Sequence, residues 1–235
     1  MKKGLKDCDI VMAASQTYKA KQDYFTGFYT ERIILDSSSR MKKRDILNEF
    51  TEWYAELGFT AHKFPHRWES KKDYEIAIQR SEKARNLMGP DGLIMIDTYM
   101  SWNRETTIRM ASNLRDYKIY WFEDILTPDD LVGQSELRAL VNPILISGGE
   151  HEFTHHGFQS LAQSEALDLW QPDITWCGGI TAGLRILEIA QEKGIPVVPH
   201  RGGEVWGLHL ITSSRCDDLA EVLPGSQKAQ KDNLW

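Results

Sequence analysis

Five polar residues, each placed just beyond a short apolar run, hold the chemistry latent in this sequence. Leu93-Ile94-Met95-Ile96 stops on Asp97, and Tyr120-Trp121-Phe122 stops on Glu123. Ile144-Leu145-Ile146 runs through Ser147-Gly148-Gly149 to Glu150. Asp173 follows Leu169-Trp170-Gln171-Pro172, and His200 follows Pro196-Val197-Val198-Pro199. The steps between them are 26, 27, 23 and 27 residues. An acid at the end of an apolar strand is costly to bury unless something cationic meets it. Three such acids brought together repel one another and take up protons, and a divalent cation removes the conflict. All-oxygen ligation favours Mg²⁺, with Mn²⁺ as the alternative, over zinc. Any one of these acids could equally be a solvated residue at a loop start; the near-equal spacing of all three favours a shared metal. Asp173 beside His200 would fix the imidazole tautomer and stabilise its protonated form, which suits a general base near neutral pH. A lone histidine is more commonly a core or loop residue, but this one follows an acid by one repeat. A substrate carboxylate could then chelate the metal while His200 removes the α-hydrogen. The charge develops as an enediolate that the ion stabilises, and a β-hydroxyl leaves with the proton that His200 returns.

These residues need a scaffold that presents one of them per repeat. The sequence predicts strands at Arg32–Leu35, Phe59–Phe64, Leu93–Asp97, Tyr120–Glu123, Ile144–Glu150, Asp168–Gln171, Ile195–Pro199 and Leu219–Leu223. Helices are expected between them: Met41–Leu57, Asp73–Met88, Arg104–Leu114, Pro128–Val141, Phe158–Ala166 and Ala182–Lys193, with a turn near Leu208–Thr212. Thr127 reads as an N-cap with Pro128 at the first helical position. A short helix is expected around Asp9–Ala20, in a segment without sustained periodicity. Eight strands alternating with helices argue an α/β fold with a parallel sheet closed into a (β/α)₈ barrel, whose active site lies at the C-terminal strand ends. The expected organisation is a remnant or extension over residues 1–30 and a barrel over 31–235.

Composition narrows the function classes. The chain has 235 residues, 41% of them apolar, enough for one large barrel or two small domains. Its net charge of −6 argues against nucleic acid as a partner. Cys8, Cys177 and Cys216 are too few and too scattered for a disulfide framework. Cys177 has no adjacent base and reads as loop packing rather than a nucleophile. No apolar run is long enough for a signal peptide or a membrane span, so a cytoplasmic protein is the expectation.

HKFPHRW (62–68), DTYMSWN (97–103), WFEDILTPDD (121–130), SGGEHE (147–152), QPDITWCGGIT (171–181) and VVPHRGGEVWG (198–207) together resemble the enolase superfamily, mandelate racemase subgroup, and within it the L-rhamnonate dehydratase family. That resemblance implies Mg²⁺ on Asp97, Glu123 and Glu150, with Asp173 and His200 as the acid/base dyad. It also implies substrate contacts from His151, Glu221 and Lys63, a small sugar-acid substrate and a homo-oligomer. The expected activity is a hydro-lyase converting an aldonate, L-rhamnonate-like, to a 2-keto-3-deoxy acid. The racemases of the subgroup carry Lys-x-Lys on the second strand, where this chain has Ala61-His62-Lys63. One-base elimination is therefore favoured over the alternative, two-base racemisation or epimerisation. The family also places an α+β capping domain before the barrel. With about 30 residues ahead of the first expected strand, the chain reads as a barrel lacking most of that cap, and a metal-binding barrel without turnover is the remaining alternative.

Overall fold

The computed structural model describes residues 9–13, 58–202, 205–213 and 219–222. Seven parallel strands form one sheet: β1 (Asp9–Ala13), β2 (Ala61–Pro65), β3 (Leu93–Asp97), β4 (Trp121–Glu123), β5 (Leu145–Gly148), β6 (Leu169–Trp170) and β7 (Leu219–Val222). Their order is β6-β5-β4-β3-β2-β1-β7. An eighth position is the single parallel bridge from Trp170 to Val197, all that the expected strand at Ile195–Pro199 contributes to the ladder. Between the strands lie α1 (Asp73–Met88), α2 (Arg104–Asn113), α3 (Leu131–Val141), α4 (Thr154–Ser164), α5 (Gly179–Lys193) and α6 (Val205–Ser213).

Period-two alternation sorts each strand into an inner and an outer face. Ala61, Met95, Trp121, Leu169, Val198 and Leu219 meet in one inner cluster. Ile94, Ile96, Phe122, Ile146 and Trp170 face outward, against Ala77, Met110, Leu137, Phe158 and Ile186 of the helices. The inner cluster joins Leu219, from one end of the sheet order, to Val198, beyond the other. The sheet therefore curls into the packed barrel interior of a (β/α)₈ fold rather than lying open. The same parity puts Lys63 inside with Ala61, Asp97 with Met95, Glu123 with Trp121, and Glu221 with Leu219.

Several boundaries differ from the sequence reading. Asp9–Ala13 is a strand, not the start of a helix, and pairs with both β2 and β7. The sheet thus begins inside the segment 1–30 that the sequence set apart as an extension. Two flanking strands supply partners to Asp9–Ala13 that its own periodicity could not announce. The strand at Arg32–Leu35 and the helix at Met41–Leu57 lie outside the described residues. Helix α3 starts at Leu131, with Asp130 as its cap: the carboxylate accepts from Gly133 N at 2.9 Å, so the expected Thr127–Pro128 start is three residues early. Helix α4 starts four residues before Phe158, at Thr154. Helix α2 starts at Arg104, as expected, and is capped by Asn103, whose Oδ1 accepts from Thr106 N at 2.9 Å. Helix α5 ends, as expected, on Gly194 in the left-handed region, at φ 68°.

Candidate active site

Strand register decides which polar side chains meet. Pro65 of β2 pairs with Asp97 of β3, and Asp97 pairs with Glu123 of β4. Asp97, Glu123 and Lys63 are buried, and Glu150 follows β5 in a tight loop where Gly149 takes φ 110°. Lys63 lies between two acids: its ammonium contacts Glu123 Oε1, and Glu221 Oε1 at 2.5 Å. The other oxygen of Glu123 accepts from Trp121 Nε1 at 3.0 Å and Gln171 Nε2 at 2.8 Å. Glu221 Oε2 accepts from Arg201 N at 2.8 Å. The Lys63 ammonium overcomes burial and holds Glu221 below the usual carboxylate range. Burial would strip the proton from Lys63, but Glu123 and Glu221 hold it on.

The carboxyls at the strand ends behave in the opposite way. Burial, then the charge of Glu123, pushes Asp97 well above the ordinary range. Burial pushes Glu123 up against the pull of Lys63. Burial also raises Glu150 to about 7, and His200 only partly offsets it. Buried oxygens that resist ionisation in the absence of a cation are of the kind a hard divalent ion discharges, while both oxygens of Glu123 are engaged here by Lys63, Trp121 and Gln171.

His200 completes the far side. Its Nδ1 lies 2.8 Å from Asp173 Oδ2, and its Nε2 lies 3.4 Å from Glu150 Oε2. Asp173 Oδ1 in turn accepts from Thr175 N at 2.7 Å and Trp176 N at 3.2 Å. Burial opposes protonation of His200, but the Asp173 hydrogen bond and Glu150 outweigh it and lift its pKa to about 10. Asp173 is held below its ordinary value, because the bonds from His200 and Thr175 outweigh burial. Asp173 and His200, expected as a pair, are thus in contact.

His151 stands on the other side of Glu150, with Nε2 3.6 Å from Glu150 Oε1 and 3.2 Å from Asp124 Oδ2. Asp124, Glu150 and His151 offer ligand atoms within 4.8 Å of one another, the one grouping among the described residues that gathers this tightly around a possible ion. Glu150 is common to this grouping and to the expected trio of Asp97, Glu123 and Glu150. Sequence reasoning passed over Asp124, adjacent to Glu123, because an acid in a turn reads as solvated. It also passed over Gln171 and Trp121, whose polar atoms are hidden within otherwise apolar runs. Cys177 is buried and its thiol is pushed up to about 11 by burial, so it packs rather than attacks. No helix among the described residues is long and apolar enough to cross a membrane.

With this geometry in view, the likeness to known proteins is informative. Residues 45–233 match the family described as enolase C-terminal domain-like. An L-rhamnonate dehydratase of Saccharopolyspora erythraea is 36% identical over 172 residues, covering 72% of this chain and 44% of that protein. The crystal structure of L-rhamnonate dehydratase from Gibberella zeae superposes with a TM-score of 0.72 at 25% identity, over 95% of this chain and 49% of that one. A structure of rhamnonate dehydratase from the same organism complexed with Mg superposes with a TM-score of 0.68 at 25% identity, over 91% of this chain and 45% of that one. The chain thus spans less than half the length of these relatives. The strands that end in acids, the inward-facing lysine and the family match agree, and the chain belongs to the enolase superfamily through its C-terminal, barrel-forming domain.

Proposed function

We propose that this barrel carries the chemistry of a Mg²⁺-dependent acid-sugar dehydratase, acting on an aldonate of the L-rhamnonate kind and releasing a 2-keto-3-deoxy acid. The observation that supports it most is the meeting of His200, braced by Asp173, with Glu150 at the strand ends. Asp97, Glu123 and Glu150 would hold the metal, with Mn²⁺ as its substitute. When bound, the ion supplies positive charge that draws a substrate carboxylate into place and acidifies its α-hydrogen.

The side chains divide the remaining work. Asp173 engages His200 Nδ1, which leaves Nε2 facing the site. With a cation on Glu150, part of the negative charge that holds the proton on His200 would be withdrawn, freeing Nε2 to take the α-proton and return it to the departing β-hydroxyl. Glu221 and Lys63 form a buried, charge-balanced wall that would meet the substrate carboxylate, and His151 would contact substrate from the opposite flank. A single lysine on β2, already bound between two acids, favours elimination on one face over two-base racemisation.

The test is a panel of acid sugars with Mg²⁺, read for 2-keto acid. His200→Asn should lower turnover by about 10³-fold while leaving metal affinity nearly unchanged. Turnover that persists in the variant refutes the assigned base; silence of the wild-type chain on every acid refutes the dehydratase reading.

A further inference from the structure

Two loops at the rim are fastened together more tightly than chain connection requires. The segment after β2 and the segment after β3 share His66 N to Asp97 O at 2.8 Å, Trp102 Nε1 to His66 O at 2.9 Å, and Trp68 N to Ser101 Oγ at 2.9 Å. Within the second segment Tyr99 and Met100 both take the left-handed backbone region, at φ 52° and 54°. Neither is glycine, and two consecutive residues there are costly unless surrounding bonds impose them. Those bonds are present: Tyr99 N donates to Asp97 Oδ1 at 3.1 Å and Met100 N to Asp124 O at 2.5 Å. The strained turn thus starts two residues past Asp97 and brings the Tyr99 ring under the exposed Arg67 guanidinium, 4.6 Å from the ring centroid. Among the described residues Arg67 forms no ion pair.

Stacking on an aromatic face fixes the plane of a guanidinium while its N–H donors stay available at the edges. At the C-terminal rim of a barrel, a pre-oriented planar donor suits the oxygens of a ligand whose other end is already anchored. We propose that Arg67, held against Tyr99, is a specificity-determining residue that binds the hydroxyl or carboxylate oxygens at the end of a chain acid remote from its reacting carboxylate. The proposal rests on the acid-sugar reading above. It assigns to the barrel itself part of the selection between short and long acids.

The experiment measures Mg²⁺-dependent binding, by calorimetry, of a four-carbon aldonate, a six-carbon aldonate and a six-carbon aldarate to wild type, Arg67→Met and Tyr99→Leu. The wild type should prefer the six-carbon acids. Arg67→Met should weaken them by about tenfold, the worth of one good charge-assisted contact, and leave the four-carbon acid unchanged. Tyr99→Leu should show the same selective loss in smaller degree. A larger loss for the aldarate assigns the remote group as a carboxylate; equal losses for both six-carbon acids assign it as a hydroxyl. Equal weakening of short and long acids, or no weakening, overturns the proposal. Formation of 2-keto acid is followed in the same samples. Selective binding without product would overturn the dehydratase reading while upholding Arg67, and a wild type that binds none of the acids overturns both.

Discussion

Asp173 has two jobs, one for each oxygen, and they separate under titration. One oxygen is fixed by backbone donors of its own loop, and the other holds the His200 ring. His200 is raised from 6.5 to about 10, so the stability it contributes is complete below pH 6.5 and is lost as pH climbs towards about 10. Asp173 is depressed from 3.8, so its contribution is present above that value and disappears as pH falls below it. Asp173→Asn keeps the loop bonds and removes the charge. In metal-free buffer, denaturant unfolding should therefore show the largest deficit of this variant between about pH 4 and 6.5. The deficit should shrink through pH 8 and level off near pH 10 at the smaller part owed to the Thr175 bonds; one that stays constant across that range would mean that the pair is not coupled to protonation.

At the scale of elements, β2, β4 and β7 are joined through one ammonium. These strands come from distant parts of the chain, and Lys63 links the acids of the other two inside the barrel. A buried charge with its partners in place adds little net stability, but removing one partner strands the others. Lys63→Met keeps the stem of the side chain and deletes the charge, leaving Glu123 and Glu221 without a counter-ion. Urea unfolding at pH 7 should register a loss of roughly 3–5 kcal/mol. A loss below about 1 kcal/mol would show that the two acids accept protons at little cost. The effect belongs to the elements rather than to the site alone, because the three strands share the inner packing of Ala61, Trp121 and Leu219.

For the whole molecule, a bound cation should act as a fastener across the sheet. Asp97, Glu123 and Glu150 come from β3, β4 and the loop after β5, so an ion shared by them resists the separation of consecutive βα units. Mg²⁺ at a hundredfold excess over its Kd should stabilise the fold by about 2.7 kcal/mol, seen as a shift in the denaturation midpoint. Asp97→Asn or Glu150→Gln should remove most of that shift. Binding near pH 7 should also release protons, because Glu150 titrates at about 7 without metal and must ionise to ligate. Calorimetry in buffers of different ionisation enthalpy reads this directly. A shift that survives both substitutions would place the ion elsewhere.

The sequence by itself determined the repeat: apolar runs of strand length, each closed by an acid or an imidazole, with helices between. It also determined facing, since side chains two apart on a strand share a face, so Asp97 was bound to lie with Met95 and Glu123 with Trp121. Tertiary structure alone decided that Asp9–Ala13 would be a strand, because its hydrogen-bond partners lie about 50 and 210 residues away in β2 and β7. It alone decided that Lys63 would bind Glu123 and Glu221 together, that Asp124 would turn to His151, and that Arg67 would settle on Tyr99. Periodicity is a local property of the chain and is legible from it. Charge pairing across a closed barrel depends on register and curvature, which exist only once the strands have met.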